Sequence, residues 1–348
     1  MRALRLQAWQ QEPELVDVPE PTPGPGQVVV KVGASGACHS DLHLMHDFTE
    51  GAVPWNPPFT LGHENAGTVH AVGEGVSSVA EGDRVVLYGP WGCGVCSMCT
   101  RGFETYCENP AGAPIPGGGG GLGLDGGMAD YLLVPHERFC LPLPDGVDMT
   151  AGAALTDAGL TPYHAVRRSW SKMTPDATVA VIGVGGLGHM AVQIVKATTA
   201  ARVVALDVKQ EALDLAREHG ADEVLVSDEH AAEALRDLTG GRGVDVALDF
   251  VGATPTLETA RKSTRSTGEA TLVGLAGAEV PFSVSSQAYE VSMASTYWGG
   301  RHELAELMSL AARGAVTVEH TTYSLDDALQ AYHDLADGKV RGRAVIVP

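Results

Sequence analysis

The sequence predicts an α/β protein that combines a doubly wound, six-stranded parallel sheet with a second, mostly β domain. Six apolar runs of strand length follow Thr178, and helical patterns fill most of the gaps between them. The first third of the chain is instead rich in proline, glycine and short β-branched runs. A chain of 348 residues also exceeds the size at which one hydrophobic core stops growing, so two domains are expected.

The apolar runs after Thr178 are almost uninterrupted by polar residues, which is typical of parallel strands covered on both faces. They are TVAVIG (178–183), ARVVALD (201–207), DEVLVS (222–227), GVDVALDFVG (243–252), EATLVGLAG (269–277) and VSMASTYWG (291–299). Between them, segment 210–220 places Leu213, Leu215 and Ala216 before a glycine stop, as an amphipathic helix does. Six such strands make a complete Rossmann fold, which binds dinucleotides.

The first third of the chain predicts an all-β lobe. Its strand-like runs are QVVVKV (27–32), AGTVHAVG (66–73), DRVVLY (83–88) and ADYLLVP (129–135). Turn-forming stretches separate them, and PTPGPG (21–26) is the clearest. After Gly300 the patterns predict two amphipathic helices, over 302–314 and 324–338, and a final strand.

Composition excludes some partners. The chain has 23 Lys and Arg against 43 Asp and Glu, a net charge of −20, which would repel nucleic acid and anionic membrane surfaces. Its N-terminus has no apolar region of signal-peptide length, and no run of 18 apolar residues occurs. We therefore expect a cytoplasmic protein without a membrane partner, whose cysteines stay reduced.

Two segments fit the pattern G-x-G-x-x-G, but their contexts differ. GGGGGLG (117–123) follows no strand and opens no helix, whereas a phosphate site needs the free N–H groups of a helix N-terminus. We expect this segment to be a mobile loop. GVGGLG (183–188) follows a predicted strand and opens a predicted helix, as a dinucleotide-binding turn does.

The second glycine turn predicts the cofactor. Gly183 permits the tight turn, Gly185 lets the backbone approach a pyrophosphate, and Gly188 allows close packing of helix on strand. Asp207 ends the next strand, where a carboxylate can accept hydrogen bonds from the ribose hydroxyls and repel a 2′-phosphate. NAD is therefore predicted over NADP, although Lys209 is a nearby base that could bind phosphate.

Four of the six cysteines lie on one loop, CGVCSMCTRGFETYC. The spacing C-x2-C-x2-C-x7-C can close a tetrahedron around zinc with no open position, which is a structural site. A bacterial iron–sulfur pattern would bring the fourth cysteine after three residues and a proline behind it. The predicted structural zinc ligands are Cys93, Cys96, Cys99 and Cys107. Cys140 is expected to be a buried small residue.

A second metal site is suggested by separate segments. A catalytic zinc needs three protein ligands and an open position. Cys38, in GACHSDLH (36–43), is one candidate, although a lone cysteine beside a histidine is more often simply buried. LGHEN (61–65) adds His63 with Glu64 after it. Asp157, near the start of an apolar helix, is a third candidate, but a carboxylate there can equally be an N-cap.

These motifs carry a family resemblance. GACHSD, LGHEN, the four-cysteine loop, LTDAGLTPYHA and VIGVGGLG occur in this order, at about this spacing, in the zinc-dependent medium-chain alcohol dehydrogenases. The chain resembles that family along essentially its whole length, most of all the bacterial NAD-dependent secondary alcohol dehydrogenases. The resemblance implies NAD and two zinc ions per chain. It also implies that Cys38, His63 and Asp157 bind the catalytic zinc, since this branch has Asp where the liver and yeast enzymes have Cys.

The resemblance also implies roles for the neighbouring polar residues. Ser40 matches the hydroxyl that contacts the zinc-bound alcohol oxygen, and His43 matches the histidine that passes the proton to solvent. Asp41 matches the carboxylate that orients the zinc-bound histidine, as such histidines generally require. Glu64 matches a carboxylate able to approach the metal, so it is an alternate ligand.

Further cofactor contacts follow from the same resemblance. The positions that match them are Gly186, Leu187, Val251, Val273, Gly274, Leu275 and Arg341. Arg341 corresponds to an arginine that contacts the pyrophosphate, and Val251 with the turn at 273–275 corresponds to backbone contacts with the nicotinamide. His39 stands where the liver enzymes have an arginine, so a pyrophosphate contact from this position is in doubt.

The family architecture implies a GroES-like catalytic domain over residues 1–155, with a structural zinc lobe at about 90–110. The NAD-binding Rossmann domain would then span 156–298, and 299–348 would complete the catalytic domain. The sixth strand, VSMASTYWG, resembles the family's edge-to-edge dimer strand. A homodimer or homotetramer is therefore expected.

The predicted activity is the interconversion of alcohols, mainly secondary ones, and ketones or aldehydes by hydride transfer to and from NAD. Three aromatic residues, Trp55, Tyr297 and Trp298, match positions that line the substrate pocket in the family. The alternative is that they are ordinary core residues. One alternative is a polyol or amino-alcohol dehydrogenase of the same superfamily, which usually carries Glu where Asp157 stands. The other is a non-catalytic protein that binds NAD and zinc.

Overall fold

The computed structural model describes residues 1–348, which form two compact units. The first comprises Met1–Leu160, Gly299–Arg313 and Val318–Pro348, and the second comprises Thr161–Trp298 and Gly314–Thr317. The first boundary falls five residues beyond the predicted one, because the helical turn that carries Asp157 packs on helix Arg301–Ala312 of the first unit. Residues 314–317 group with the second unit because Gln193 bonds both the backbone N–H and the backbone carbonyl of Thr317.

The second unit contains the predicted doubly wound sheet. All pairings in its six-stranded sheet are parallel, and each strand overlaps one of the six apolar runs, although the fifth strand begins five residues before its run. In spatial order the strands are Glu223–Val226, Arg202–Asp207, Thr178–Ile182, Val244–Asp249, Thr264–Leu272 and Ser292–Ser295. In chain numbering this order is 3-2-1-4-5-6, and it reverses beside Thr178–Ile182, where dinucleotides bind in such folds. The Rossmann prediction is confirmed.

Four helices connect the strands of this sheet: Gly188–Thr198, Gln210–Glu218, Ala231–Leu238 and Thr254–Ser263. Their apolar faces pack on strand residues such as Ile182, Leu206 and Ala247, all fully buried. The helix predicted over 210–220 is present, with Leu213, Leu215 and Ala216 on its buried side. The continuous apolar runs of the sequence are therefore explained by strands that lie between two helical layers.

The first unit is mostly β, as predicted. Its largest sheet has seven strands, which are Val28–Ala37, Glu64–Val72, Arg84–Leu87, Tyr131–Val134, Cys140–Pro142, His320–Ser324 and Arg343–Val347. A three-stranded sheet joins Arg2–Leu6, Glu14–Asp17 and Phe59–Thr60. Because Arg343–Val347 pairs with Val28–Ala37, the C-terminal end of the chain completes the sheet that the N-terminal third begins.

The helices of the first unit are short. They are His39–His46, Ser97–Thr100, Met149–Ala154, Arg301–Ala312 and Ala328–Ala336, and a π-helical turn spans Leu155–Gly159. A further helix, Leu160–Arg168, belongs to the second unit except for its first residue. The two helices predicted after Gly300 are present, and the second is preceded by a short 3-10 turn, Leu325–Asp327. No helix is long and apolar enough to cross a membrane.

The glycine-rich segment 117–123 is not the loose loop that the sequence suggested. Gly119–Gly120 and Gly123–Leu124 pair as two short parallel strands. A side chain on Gly123 would collide with the ring of Trp55, and one on Gly121 would collide with the backbone of Gly62. The glycines are required by close packing, so the expectation of a mobile loop is wrong. The expectation that this segment does not bind the cofactor phosphates stays a prediction.

Candidate active site and metal centres

Strand pairing brings the first two predicted zinc ligands together. Cys38 follows strand Val28–Ala37 and precedes helix His39–His46, while His63 immediately precedes strand Glu64–Val72. The two strands are antiparallel neighbours, with Gly36 opposite Glu64. The end of one strand therefore lies beside the start of the other, and Cys38 and His63 meet although they are far apart in sequence.

Asp157 completes the cluster from a third segment. It lies in the π-helical turn Leu155–Gly159, within a longer helical run. The N-cap of that run is Asp148, whose Oδ1 accepts the N–H of Ala151 at 2.7 Å. The N-cap explanation of Asp157 is therefore wrong. A π-helical turn widens the backbone locally and is common at functional sites.

The side chains of Cys38, His63, Glu64 and Asp157 each offer a ligand atom, and these atoms lie within 4.8 Å of one another. Asp157 Oδ2 is 3.5 Å from His63 Nε2 and 3.9 Å from Cys38 Sγ. Cys38, His63 and Glu64 are buried, and the Asp157 side chain is 13% exposed. One thiol, one imidazole and one carboxylate form the three-ligand set of a catalytic zinc site, and Glu64 is an additional carboxylate.

The charges around His63 also fit a cation. Burial alone would lower the pKa of His63, but the carboxylates of Asp41 and Asp157 raise it well above its usual value. Burial raises the pKa of Glu64 to about 7. Acidic groups thus converge on one imidazole in a buried place, where negative charge is costly unless compensated. A zinc ion bound by sulfur, nitrogen and oxygen would supply that compensation, so these residues fit the group.

Asp41 lies beside the Nδ1 atom of the His63 ring. It is fully buried, and its Oδ1 lies 3.1 Å from His63 Nδ1. Its Oδ2 accepts the backbone N–H of Cys38 at 3.0 Å. A carboxylate at Nδ1 keeps the proton on that nitrogen and leaves Nε2 for a metal. This geometry is the one expected of the orienting role that we assigned to Asp41.

Ser40 and His43 share one face of helix His39–His46 because they are three residues apart. Ser40 Oγ lies 3.4 Å from His63 Nε2, on the metal side of that ring. The His43 side chain is 39% exposed, and its Nδ1 pairs with Asp47 Oδ2. One residue therefore borders the buried cluster and the other reaches solvent. His39 is exposed.

The structure adds a residue that the sequence reasoning missed. Arg343 is buried, and its guanidinium pairs with Glu64 Oε1. Arg341, the residue we selected from this segment, is half exposed and pairs with Glu319. The signal that could have identified Arg343 is that a buried Glu64 requires a cationic partner. An unpaired buried carboxylate is strongly destabilising. The role of Arg341 at the pyrophosphate stays a prediction.

The four-cysteine loop is organised as a second metal site. The sulfur atoms of Cys93, Cys96, Cys99 and Cys107 all lie within 4.8 Å of one another. Backbone N–H groups point at these sulfurs: Val95 and Cys96 donate to Cys93 Sγ, and Glu108 donates to Cys96 Sγ. Backbone hydrogen bonds lower the pKa of Cys96 to about 6. These donors stabilise thiolates, which are the form that binds zinc, and Cys140 lies apart and buried as predicted.

Replacing Cys99 by serine should destabilise the lobe without changing the chemistry of the other site. Cys99 is the most buried of the four cysteines, and a structural zinc contributes directly to folding free energy. We expect one zinc fewer per chain and a lower Tm, both measurable on the purified variant by metal analysis and calorimetry. Cys140→Ser is the matched control, a buried cysteine outside the cluster, and it should keep both zinc ions.

The nucleotide turn has the geometry that its sequence predicted. Gly183 has φ of +84°, a Cβ on Gly188 would collide with the Gly183 carbonyl, and a Cβ on Gly185 would meet nothing within 4 Å. Asp207 ends its strand, and its Oδ2 accepts the N–H of Val184 at 2.7 Å. The carboxylate is therefore held at the glycine turn.

Four other predicted cofactor positions, Val251, Val273, Gly274 and Leu275, lie at the same sheet edge. Val251 follows strand Val244–Asp249, and Val273 follows Thr264–Leu272, so both loops leave the carboxyl ends of parallel strands. Gly252 and Gly274 approach so closely that a Cβ on either would collide with the other loop's backbone. Leu275 is 63% exposed beyond this contact. Ligands of doubly wound folds bind at this edge.

The three aromatic residues proposed for the substrate pocket lie in different environments. Trp55 is buried among Trp9 and Phe59, with ring centroids 5.9 and 5.5 Å away. Trp298 is buried and packs edge-on against Tyr297, which is 47% exposed. Trp55 belongs to the first unit and the other two to the second. Their shared role in a pocket stays a prediction.

The fold and the two clusters define a zinc-binding dehydrogenase, and comparison with known proteins agrees. Residues 24–145 match the family model described as an alcohol dehydrogenase GroES-like domain, and residues 186–313 match the zinc-binding dehydrogenase model. An NAD-dependent alcohol dehydrogenase of Sulfurisphaera tokodaii is 35% identical over the whole of both chains. The chain belongs to the zinc-dependent medium-chain alcohol dehydrogenase family and is an oxidoreductase that acts on CH–OH groups.

Solved structures give the same result. The alcohol dehydrogenase of the archaeon Aeropyrum pernix is 38% identical, covers both chains completely and superposes with a TM-score of 0.91. The acetophenone reductase of Geotrichum candidum, solved in complex with NAD, is 33% identical, with all of this chain and 97% of that chain covered and a TM-score of 0.85. The predicted GroES-like character of the first unit and the predicted family are confirmed, and a non-catalytic protein is not supported.

Proposed function

We propose that this protein oxidises secondary alcohols to ketones with NAD and reduces ketones with NADH. The observation that carries the proposal is the convergence of Cys38, His63 and Asp157 in one buried cluster. The carboxylate of Asp207 at the glycine turn supports NAD as the cofactor, because it would repel a 2′-phosphate. Asp157 favours an alcohol dehydrogenase over the polyol and amino-alcohol dehydrogenases, which usually have Glu there.

When bound, zinc supplies Lewis-acid polarisation of the alcohol oxygen and NAD supplies the hydride acceptor. Cys38, His63 and Asp157 would hold the metal with an open position for substrate. Asp41 holds the His63 ring, with its Oδ1 3.1 Å from Nδ1. Cys38 and His63 are buried, which strengthens the electrostatic interactions between the groups of the cluster.

The chain supplies groups that can carry the alcohol proton to solvent. Ser40 Oγ stands 3.4 Å from His63 Nε2, so it borders the place where the substrate oxygen would bind. His43, one helical turn away, is partly exposed and pairs with Asp47. Ser40 can accept the alcohol proton at Oγ while it passes its own hydroxyl proton on, and the imidazole of His43 can take up a proton and release one to solvent. Glu64 is tied to Arg343, so it is not a proton carrier, and its role as an alternate ligand stays a prediction.

Two observations support a preference for secondary alcohols. A relative 33% identical to this chain is an acetophenone reductase, and acetophenone is a ketone whose reduction gives a secondary alcohol. The first unit also carries an aromatic cluster of Trp9, Phe48, Trp55 and Phe59. The family resemblance places Trp55 at the substrate pocket, and apolar aromatic walls suit hydrophobic alcohols better than polyols.

A substrate panel tests the proposal. The purified protein would be assayed for NADH formation with 1-octanol, 2-octanol, 1-phenylethanol, sorbitol and threonine, using reactions without alcohol as blanks. We expect kcat/KM to be highest for 2-octanol or 1-phenylethanol. Higher values for sorbitol or threonine would favour the polyol or amino-alcohol dehydrogenase, and higher values for 1-octanol would contradict the secondary preference.

We also propose a homo-oligomer built on the edge strand Ser292–Ser295. That strand pairs on one side only, with Thr264–Leu272. The segment just before it exposes Phe282, Val284 and Tyr289, each at least 65% accessible. Unpaired strand edges and grouped apolar side chains favour association. Light scattering on the eluted protein should give two or four times the chain mass, and a monomer mass would contradict this proposal.

A further inference from the structure

Tyr332 is a buried polar residue with no part in the chemistry described above. It lies in helix Ala328–Ala336 near the C-terminus and is 1% exposed. Its ring packs in the same core cluster as Leu44, Met45 and Met128. A buried hydroxyl in such a core must find an acceptor or destabilise the fold, so the partner of this hydroxyl is informative.

The partner is the carboxylate of Asp41, which lies beside the candidate zinc ligand His63. Tyr332 donates its hydroxyl to Asp41 Oδ2 at 2.9 Å, and Met128 Sδ, a weak acceptor, lies 3.0 Å from the same hydroxyl. Asp41 Oδ2 also accepts the backbone N–H of Cys38 at 3.0 Å. Two donors therefore hold Oδ2, and Oδ1 lies 3.1 Å from His63 Nδ1.

We propose that Tyr332 is a positioning residue for the catalytic zinc, and that it acts by fixing the Asp41 carboxylate against His63. The hydroxyl and the Cys38 N–H determine the plane of the carboxylate, and that plane determines the orientation of the imidazole. This inference rests on the proposed function, because it assumes that His63 binds zinc through Nε2. Tyr332 acts through Asp41 and is not one of the clustered ligand residues.

Burial and charge keep Tyr332 in the required form. Burial first, and then the neighbouring Asp41 carboxylate, raise the pKa of Tyr332 well above its usual value. The hydroxyl therefore stays protonated and donates under all ordinary conditions. Replacing a residue that hydrogen-bonds a zinc ligand typically lowers metal affinity tenfold to a hundredfold. Tyr332 acts through such a residue, so its replacement should have an effect at the low end of that range.

Tyr332→Phe removes the hydroxyl and keeps the ring. We expect the variant to lose one of its two zinc ions to a colorimetric chelator about tenfold faster than the original protein, which is the low end of the range for supporting residues. The four-cysteine zinc should be lost at an unchanged rate, as an internal reference. Tyr88→Phe is the matched control: its buried hydroxyl donates to the Gly299 carbonyl, so it should lower Tm without changing either rate.

Coupling to Asp41 separates positioning from packing. In an Asp41→Asn background the additional Tyr332→Phe change should no longer accelerate zinc loss, since Tyr332 acts through that carboxylate. Equal rates for Tyr332→Phe and the original protein would overturn the proposal. An original protein that holds only one zinc would instead overturn the proposed function.

A second measurement avoids any loss of folding in the phenylalanine variant. Site-specific 3-fluorotyrosine at position 332 keeps the hydroxyl and reports on it by fluorine NMR. We expect its resonance to shift when the chelator removes the catalytic zinc, while the same probe at Tyr88 does not shift. An unchanged resonance at 332 would overturn the proposal.

Discussion

Replacing Asp157 by alanine should lower kcat/KM for a secondary alcohol by roughly 10³-fold or more, because the Lewis acid contributes several kcal/mol and each 1.4 kcal/mol is tenfold. Asp157 provides the only ligand atom that the helical run 149–168 brings to the cluster. Without it, Cys38 and His63 remain with Glu64, which is already paired with Arg343. We expect zinc to fall from about two to about one per chain.

A matched control exists on the same helical run. Asp148→Ala removes the N-cap acceptor of the Ala151 N–H and should cost about 1 kcal/mol of unfolding free energy. It should leave kcat/KM and zinc content unchanged. Circular dichroism would show that both variants fold. Full activity in Asp157→Ala would contradict its role as a zinc ligand.

The second large effect concerns the cofactor. Asp207→Ser should lower kcat/KM with NAD by about 10- to 100-fold, since hydrogen bonds to charged groups contribute about 1.5–3 kcal/mol. It should raise kcat/KM with NADP, because the charge that repels a 2′-phosphate is gone. Initial rates with each cofactor at saturating alcohol would measure the ratio. An original protein with a higher kcat/KM for NADP would show that the assignment of Asp207 is wrong.

Two further variants separate charge from backbone geometry. Asp207→Asn keeps a side-chain oxygen that can accept the Val184 N–H, so it tests the charge while leaving the glycine turn supported. Asp222→Asn changes another carboxylate of the same unit, one that accepts the Val203 N–H at 2.7 Å and pairs with Lys196. We expect the first to shift cofactor preference and the second to leave it unchanged.

The parts of the fold that local sequence determines were predictable. The six strands of the parallel sheet and the turn GVGGLG are continuous in sequence, and each depends on residues that are neighbours along the chain. The same holds for the four-cysteine loop, whose ligands all lie within 93–107. In each case spacing alone limits the possible geometry.

The catalytic cluster was less accessible because its contacts are long-range. Whether Asp157 is an N-cap or a ligand depends on where the helical run begins, and the structure places that start at Asp148. Arg343 was missed because its ion pair joins residues 279 positions apart. The loop 117–123 was misjudged for the same reason, since its glycines are required by contacts with Gly62 and Trp55.

The most direct test of the catalytic metal site is the zinc content of the purified, unmodified protein, measured by mass spectrometry of the metal against protein concentration. The four-cysteine loop accounts for one ion, and the cluster of Cys38, His63 and Asp157 accounts for another. We predict about two zinc per chain. A value of one, with the Cys99→Ser variant then holding none, would show that the catalytic zinc site does not exist.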